Sequence, residues 1–171
     1  MLPELPEQRA LLIQEYRRGP SELEAALSET TEASRSWRPG RGEWTIHEII
    51  CHCADSETSG YVRIRMLAAE SSPLIVGYDQ DLWATLFDYA SLPLETSLSV
   101  VRAVRASTSD LLDRLPETVW IKEGRHSESG VYDADTWLSI YGVHLTEHAE
   151  QIRRNHKQWV EQRQPDIADP K

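Results

Sequence analysis

The sequence lacks an apolar run long enough to span a membrane, and it lacks an excess of positive charge. Its first residues include proline and glutamate rather than a basic and then an apolar segment, which argues against a secretory signal. The chain contains only 18 lysines and arginines but 28 aspartates and glutamates, and the resulting formal charge of −10 repels phosphate backbones and anionic lipids. We therefore expect a cytoplasmic protein that binds neither nucleic acid nor a membrane.

Cysteine is also scarce, because Cys51 and Cys53 are the only two in the chain. On a helix, positions two apart point about 200° away from each other, so these two cannot form a disulfide. Cys53 shares an apolar stripe with nearby isoleucines and is most simply a small core residue. Cys51 is expected nearer to solvent, and nothing beside it marks it as an activated thiol.

The length of 171 residues, with 40% hydrophobic content, suffices for one domain with a full core and is short for two. We expect one domain over residues 1–171, with a core from about residue 5 to residue 162. Residues 163–171, which contain Pro165 and Pro170, are expected to be a frayed tail.

Four segments show the apolar periodicity of helices, and they cover about residues 6–30, 45–67, 94–115 and 133–159. Gly19 and Pro20 are expected to kink or briefly break the first helix. Thr45 and Glu48 have the spacing of a capping box at the start of the second helix. Asp133 or Asp135 is predicted to cap the fourth.

The absence of alternating strands and helices predicts an all-α four-helix bundle. The connections after helices two and three are long, which argues against the simplest up-down-up-down form. Residues 71–93 are predicted to contain a short helix at about 81–89. Residues 117–133 are predicted to contain two short strands, near 120–121 and 131–132.

Arginines on the third helix, Arg102, Arg105 and Arg114, are predicted to lie away from its apolar stripe and to form a solvated face. No cluster of lysines or arginines identifies a carboxylate or a sugar as the substrate. The charge pattern therefore leaves the substrate class open.

His144 and His148 lie one turn apart on the fourth helix, on the same stripe as Trp137, Tyr141 and Ile152. Two imidazoles on an apolar stripe need polar partners, and a metal ion satisfies two neutral nitrogens one turn apart. The spacing lacks the glutamate that follows the first histidine in zincins. It is also compatible with two ordinary histidines, one in the core and one hydrated.

His52 on the second helix lies about 120° from the apolar stripe, in a polar row. The other members of this row are Thr45, Glu48, Asp55, Ser56 and Ser59. Such a row faces either water or a cleft. Because facing helices of a bundle place distant residues in one interior site, His52 is the candidate third ligand beside His144 and His148.

Three motifs carry a family resemblance, and they are GEWTIHEIICHCADS at 42–56, YDQDLWA at 78–84 and YGVHLTEHAEQI at 141–152. In this order and spacing the motifs resemble the DinB-like superfamily. Within it the chain is most similar to the YfiT-like branch of metal-dependent hydrolases and bacillithiol S-transferases. The resemblance covers roughly residues 20–156.

The resemblance implies a four-helix bundle that holds a divalent ion, nickel or zinc, through His52, His144 and His148. It also implies a homodimer that transfers a low-molecular-weight thiol, such as bacillithiol or mycothiol, to a small electrophile. A metal-dependent hydrolase or amidase is the first alternative. The second alternative is a non-enzymatic, stress-associated module that binds a metal or a small ligand.

The chain departs from the pattern of that branch at several positions. Val143, Glu147 and Gln151 stand where the branch usually has a tryptophan and two further histidines. His126 resembles a loop histidine of the family, but Ser127 replaces the proline that usually follows it. Metal binding is therefore better supported than any particular substrate.

Two carboxylates are candidates to assist the chemistry, Asp55 and Glu147. Asp55 comes one turn after His52, and Glu147 comes directly before His148. Each is predicted to act as a general base or as the acceptor that fixes the tautomer of an imidazole. A solvated surface carboxylate is the alternative for both.

Overall fold

The computed structural model describes residues 5–163, so residues 164–171 of the predicted tail lie outside the described part of the chain. In chain order the helices are α1 (Leu5–Ser28), α2 (Glu32–Arg35), α3 (Ile46–Ala69), α4 (Gln80–Leu86), α5 (Leu94–Leu112), α6 (Glu117–Trp120) and α7 (Ala134–Glu161). The strands are β1 (Leu74–Ile75), β2 (Glu123–His126) and β3 (Gly130–Asp133), and a 3-10 turn covers Tyr89–Ser91. The predicted all-α class is confirmed, with one small sheet added.

The long helices α1, α3, α5 and α7 form a four-helix bundle. Helix α1 packs against α7 and α5, and α3 packs against the same two helices. Consequently α1 and α3 lie diagonally across the bundle, whereas successive helices of the simplest bundles are neighbours. The predicted departure from that simple form is confirmed. Within residues 5–163, no helix combines the length and the apolar character needed to cross a bilayer.

The two long connections meet in the small sheet. Strand β1, from the connection after α3, pairs in parallel with β2, and β2 pairs antiparallel with β3. The strand predicted near 131–132 lies in β3. The strand predicted at 120–121 is wrong, because the chain turns into α6 after Pro116 and Trp120 is buried at the end of that helix. The strand begins only at Glu123.

Helix α1 continues through Pro20, so the break considered there is absent. A proline has no N–H and leaves the carbonyl four residues earlier without its helical donor. Here that carbonyl belongs to Tyr16, and Nη1 of Arg105 on α5 donates to it at 2.7 Å. A donor from a neighbouring helix therefore replaces the missing N–H.

The helices that carry the predicted ligands start at defined caps. At α3, the amide of Glu48 donates to the Thr45 hydroxyl and the amide of Thr45 donates to the Glu48 carboxylate, so the predicted capping box is confirmed. At α7, Asp133 accepts from the amide of Thr136 at 2.7 Å. These caps stabilise the first turns of both helices and so help to set which residues face the bundle interior.

Both cysteines are free and buried. Cys53 lies in the core, as predicted. The prediction for Cys51 is wrong, since only 1% of this residue is exposed. The carbonyl of Tyr89 and the hydroxyl of Ser97 lie 3.5 and 3.6 Å from its sulfur, so the 3-10 turn and α5 cover this side of α3.

Helices α3 and α7 approach each other closely at Gly60. The indole N–H of Trp137 donates to the carbonyl of Gly60 at 2.9 Å. A Cβ at position 60 would lie 2.5 Å from the ring of Tyr141, which itself stacks on Trp137. Glycine is therefore required here by the packing of the two aromatic rings.

We predict that Gly60→Ala destabilises the protein by about 1–3 kcal/mol, because overpacking outweighs the gain in helix propensity. Thermal unfolding should show a fall in Tm of about 2–4 °C for each kcal/mol lost. Gly40→Ala is the matched control, since a Cβ there meets only the flexible carboxylate end of the exposed Glu43. Equal melting temperatures for the two variants would contradict the prediction.

Candidate metal centre

The bundle brings His52 of α3 together with His144 and His148 of α7. The ring centroids of His144 and His148 are 4.6 Å apart, and those rings lie 5.5 and 5.0 Å from the ring of His52. One nitrogen from each ring lies within 4.8 Å of the other two. The three rings face a cleft of about 490 Å³, the histidine cleft, which Trp44 and Asp81 also line.

His52 is the most buried of the three, with 4% of its surface exposed. Burial, together with the neighbouring His148 and His144, lowers its pKa to about 2, so the ring is neutral at physiological pH. Its Nδ1 atom is buried and has no hydrogen-bond partner among the described residues. Such an atom costs free energy unless a ligand satisfies it. A buried, neutral imidazole with an unpaired nitrogen is compatible with a metal ligand.

His148 is also neutral, because burial and then the proximity of His144 lower its pKa to about 4. Its Nδ1–H donates to the side-chain oxygen of Gln151 at 2.8 Å. The proton on Nδ1 leaves the lone pair on Nε2. Gln151, at a position where the branch usually has a histidine, therefore sets the tautomer of His148. The sequence drew attention to this position but did not reveal the contact.

His144 is oriented by Glu57, a residue that the sequence did not single out. The Nδ1–H of His144 donates to Oε1 of Glu57 at 2.9 Å, and Glu57 is fully buried. Burial by itself raises the pKa of this carboxyl, but the attraction of Arg105 and hydrogen bonds from His144 and Arg105 outweigh it and hold the pKa below its usual value. An ionised carboxylate only accepts, so in the neutral form of the His144 ring the proton is on Nδ1 and the lone pair is on Nε2.

Arg105 is the counter-charge of Glu57, and the prediction that it lies on a solvated face is wrong. Only 1% of it is exposed, and two of its nitrogens donate to the two carboxylate oxygens at 2.6 Å each. The spacing contained a signal, because Arg105 lies four residues after Val101 and three before Thr108, in the buried row of α5. Its pairing with a carboxylate on another helix could not be read from that spacing.

The two predicted carboxylates occupy other places. Asp55 accepts from the hydroxyl of Tyr89 at 2.5 Å, and Glu147 is exposed. The acceptors at Nδ1 of the two α7 histidines are Glu57 and Gln151 instead. A role of Asp55 or Glu147 as a general base stays a prediction.

His126 lies on an approach to the three rings. It lines a second cavity of about 290 Å³, the side cavity, which His52 and His144 also line. Its Nδ1 accepts from the amide of Glu128 at 3.2 Å, so a neutral ring carries its proton on Nε2. Ser127, in place of the usual proline, accepts from the amide of Gly77 at 2.9 Å and links this loop to the connection after α3.

The donor set fits a divalent ion of the later first-row metals. Three neutral imidazoles are ligands that zinc, nickel and copper accept, and they leave the ion its full charge and at least one open position. Of the described residues that line the histidine cleft, none is serine, threonine, cysteine or lysine. The cleft can hold an ion and a small molecule, but the described side chains that line it include no hydroxyl, thiol or amine nucleophile.

Comparison with known families and proteins gives consistent matches. Residues 15–152, which include all three histidines, match the profile of the DinB superfamily. A protein of Oceanobacillus iheyensis named "Putative metal-dependent hydrolase" is 36% identical over 111 residues, which are 65% of this chain and 64% of that relative. A protein of Bacillus licheniformis with the same descriptive name is 28% identical over 149 residues, 85% of this chain and 83% of the relative. The chain thus spans a little under two thirds of the first relative and most of the second.

One solved structure has the same fold. It is that of YfiT from Bacillus subtilis, described as "a probable metal-dependent hydrolase with an unusual four-helix bundle topology". The match has a TM-score of 0.84 and covers 94% of this chain and 92% of YfiT, at 22% sequence identity. At that identity the likeness shows the bundle topology alone.

We predict that Glu57→Gln lowers the free energy of unfolding by about 3–5 kcal/mol, because it leaves Arg105 buried without a counter-charge. Glu48→Gln is the matched control on the same helix. Its partner Arg38 has 44% of its side chain exposed, and the glutamine still completes the capping box, so the expected loss is about 1 kcal/mol or less. Denaturant unfolding of both metal-free variants measures the difference. Similar losses of unfolding free energy in the two variants would show that the buried ion pair contributes no more to stability than the partly exposed one.

Proposed function

The chain belongs to the DinB superfamily, and from that premise we propose that it is a metal-dependent enzyme with His52, His144 and His148 as its metal ligands. The observation that supports this proposal most is the convergence of these three imidazoles from two helices. Their hydrogen bonds support it further, because Glu57 and Gln151 hold the Nδ1 protons of the two α7 histidines, so the neutral forms of both rings carry their lone pairs on Nε2.

The residues around the centre have separable roles. The three histidines bind the ion, and Glu57 orients the ring of His144 from the buried side. A divalent ion in such a site supplies Lewis acidity and lowers the pKa of a bound water or thiol. Asp81 of α4 lines the histidine cleft, and we propose it as the group that takes up a proton released there.

We propose that the attacking group comes from outside the chain. Burial raises the pKa of both cysteine thiols, Cys51 and Cys53, and Cys53 is fully enclosed. We propose that a low-molecular-weight thiol of the bacillithiol type enters the cleft and is transferred to a small electrophile. Hydrolysis by water is the second candidate, and the name of the relatives as metal-dependent hydrolases favours it.

Further proposals concern the ion and the assembly. The imidazole set favours nickel or zinc over calcium or magnesium, which prefer oxygen ligands. We also propose that the chain folds as one domain and forms a homodimer. Support for the dimer comes from Leu82 and Leu86 on α4, which are more than half exposed.

We predict that His52→Ala and His144→Ala lower the bound metal from about one ion per chain to less than about one tenth, because two imidazoles hold an ion far less tightly than three. Elemental analysis of protein purified without a His-tag measures this and identifies the ion. His47→Ala on α3 and His156→Ala on α7 are the controls. These residues bond to the carbonyl of Leu92 and the hydroxyl of Ser34, outside the centre. Full metal content in His52→Ala would remove α3 from the site.

We predict that the metal-loaded protein consumes small electrophiles only when a thiol is added, and that His144→Ala slows this reaction about 100-fold or more. Product formation is followed with several thiols and with no thiol. Turnover without thiol would assign the protein to the hydrolases instead. A protein that binds metal but shows no turnover in either assay would be a binding module rather than an enzyme.

A further inference from the structure

A third cavity lies beside the centre, enclosed by α3, β1 and α4. Its volume is about 470 Å³, which lies within the range of about 300–1,000 Å³ typical of small-molecule sites. Six of its twelve lining residues are apolar, namely Val62, Met66, Leu74, Ile75, Val76 and Trp83. We call it the apolar cavity. Several of these side chains are well exposed, among them Val62 at 49% and Val76 at 66%, so the cavity presents apolar surface to solvent.

The apolar cavity is adjacent to the side cavity that reaches the histidines. Arg63, Gly77 and Tyr78 line both cavities and form the boundary between them. The side cavity is in turn lined by His52 and His144. A molecule that lies across this boundary can therefore place one end among apolar side chains and the other against the imidazoles.

Arg63 at this boundary has no acidic partner. Among the described residues, no carboxylate oxygen lies within 4.0 Å of its guanidinium, whereas Arg105 and six other arginines each have such a partner. Its nitrogens donate only to neutral oxygens, the hydroxyl of Tyr141 at 3.2 Å and the carbonyl of Val76 at 3.1 Å. In a chain with a charge of −10, this cation is therefore left available to an anion that enters the cavities.

Two carboxylates lie near Arg63, but neither forms an ion pair with it. Asp55 lines the apolar cavity, but its carboxylate accepts from the hydroxyl of Tyr89. Glu128 lines the side cavity and packs against Gly77, and it is exposed to solvent. Both carboxylates repel any anion, and they repel a dianion about twice as strongly as a monoanion, so a ligand with a single negative charge fits the boundary better than a doubly charged phosphate does.

We propose that the substrate of the three-histidine centre is an amphipathic monoanion. Its hydrocarbon part occupies the apolar cavity, its carboxylate or similar anionic group binds Arg63, and its reactive group reaches His52 and His144. This inference rests on the proposed function for the reaction but not for the binding, because neither Arg63 nor the apolar cavity depends on the ion. Arg63 is assigned as a substrate-binding residue.

Two moderate interactions would together hold the amphipathic monoanion. Burying a hydrocarbon chain in the apolar cavity contributes about 0.8 kcal/mol for each methylene group removed from water. A carboxylate that meets an arginine free of competing acids gains a charge-assisted hydrogen bond. Affinity should therefore rise with chain length and should depend on the negative charge.

The test measures binding of octanoate, octanol and octylamine to the full chain by calorimetry, both as purified and after metal removal. Val62→Glu places a charge in the apolar cavity, and Val131→Glu is its control, since Val131 is 62% exposed on β3 and lines neither this cavity nor the side cavity. Arg63→Gln removes the cation, and Arg65→Gln is its control. Arg65 also lacks an acidic partner, but it stacks on Tyr61 and bonds to Ser107 and Thr108 away from the cavities.

Octanoate is expected to bind about tenfold more tightly than octanol or octylamine, with and without metal. Val62→Glu should lower the affinity for octanoate at least about tenfold. Arg63→Gln should abolish the preference for octanoate over octanol, and Arg63→Lys should retain part of that preference. The backbone amide of Gly77, which lies at the boundary, should shift in the ¹H–¹⁵N spectrum on titration with octanoate.

The inference is overturned if octanoate does not bind or if it binds no better than octanol. It is also overturned if Val131→Glu and Arg65→Gln reduce the affinity for octanoate as much as Val62→Glu and Arg63→Gln do. It is also overturned if Val62→Glu only converts a dimer to a monomer in sedimentation and leaves octanoate affinity unchanged, because the cavity would then be covered by a second copy. Failure of the proposed function looks different. In that case the purified protein lacks metal and turnover, yet octanoate binding and its dependence on Arg63 persist.

Discussion

The ion pair between Arg105 and Glu57 is the constraint on which the rest of the interior depends. Both side chains are removed from water, which is favourable only if every donor and acceptor is satisfied. Arg105 meets this condition by also donating to the carbonyls of Tyr16 and Tyr141, so it bonds to α1 and α7 as well as to α3. The remaining interaction of Glu57 is with His144. One buried pair thus connects all four long helices and orients a ligand of the candidate centre.

The centre combines this rigid support with an open face. The two α7 histidines have their Nδ1 protons held by Glu57 and Gln151, while burial keeps His52 and His148 neutral. An acidic protein with a field that attracts cations therefore presents uncharged nitrogens at the place where an ion can bind. The long connections after α3 and α5 contribute Asp81 and His126 to the surrounding cavities. The segments that depart from the simple bundle therefore also form part of the walls around the site.

Much of the fold follows from local patterns. Apolar periodicity identified the four long helices, and capping chemistry located the start of α3 at Thr45, because both signals involve residues within a few positions of each other. Errors occurred where distant residues decide. Pro20 was expected to kink α1 or to break it briefly; the break is absent, and a donor from α5 replaces the missing N–H. Cys51 was placed near solvent because nothing local shows that the 3-10 turn at Tyr89–Ser91 covers it.

For the site, the sequence by itself determined which residues are capable of binding a metal and which of them share a helix face. The spacing of His144 and His148 and the polar row of His52 were sufficient for that, since helical geometry is set by sequence separation. Only the tertiary structure decided that the three rings meet, that Glu57 and Arg105 lie behind them, and that Arg63 stands unpaired between two cavities. These relations join residues on different helices, and their distances depend on how the helices pack rather than on any local preference.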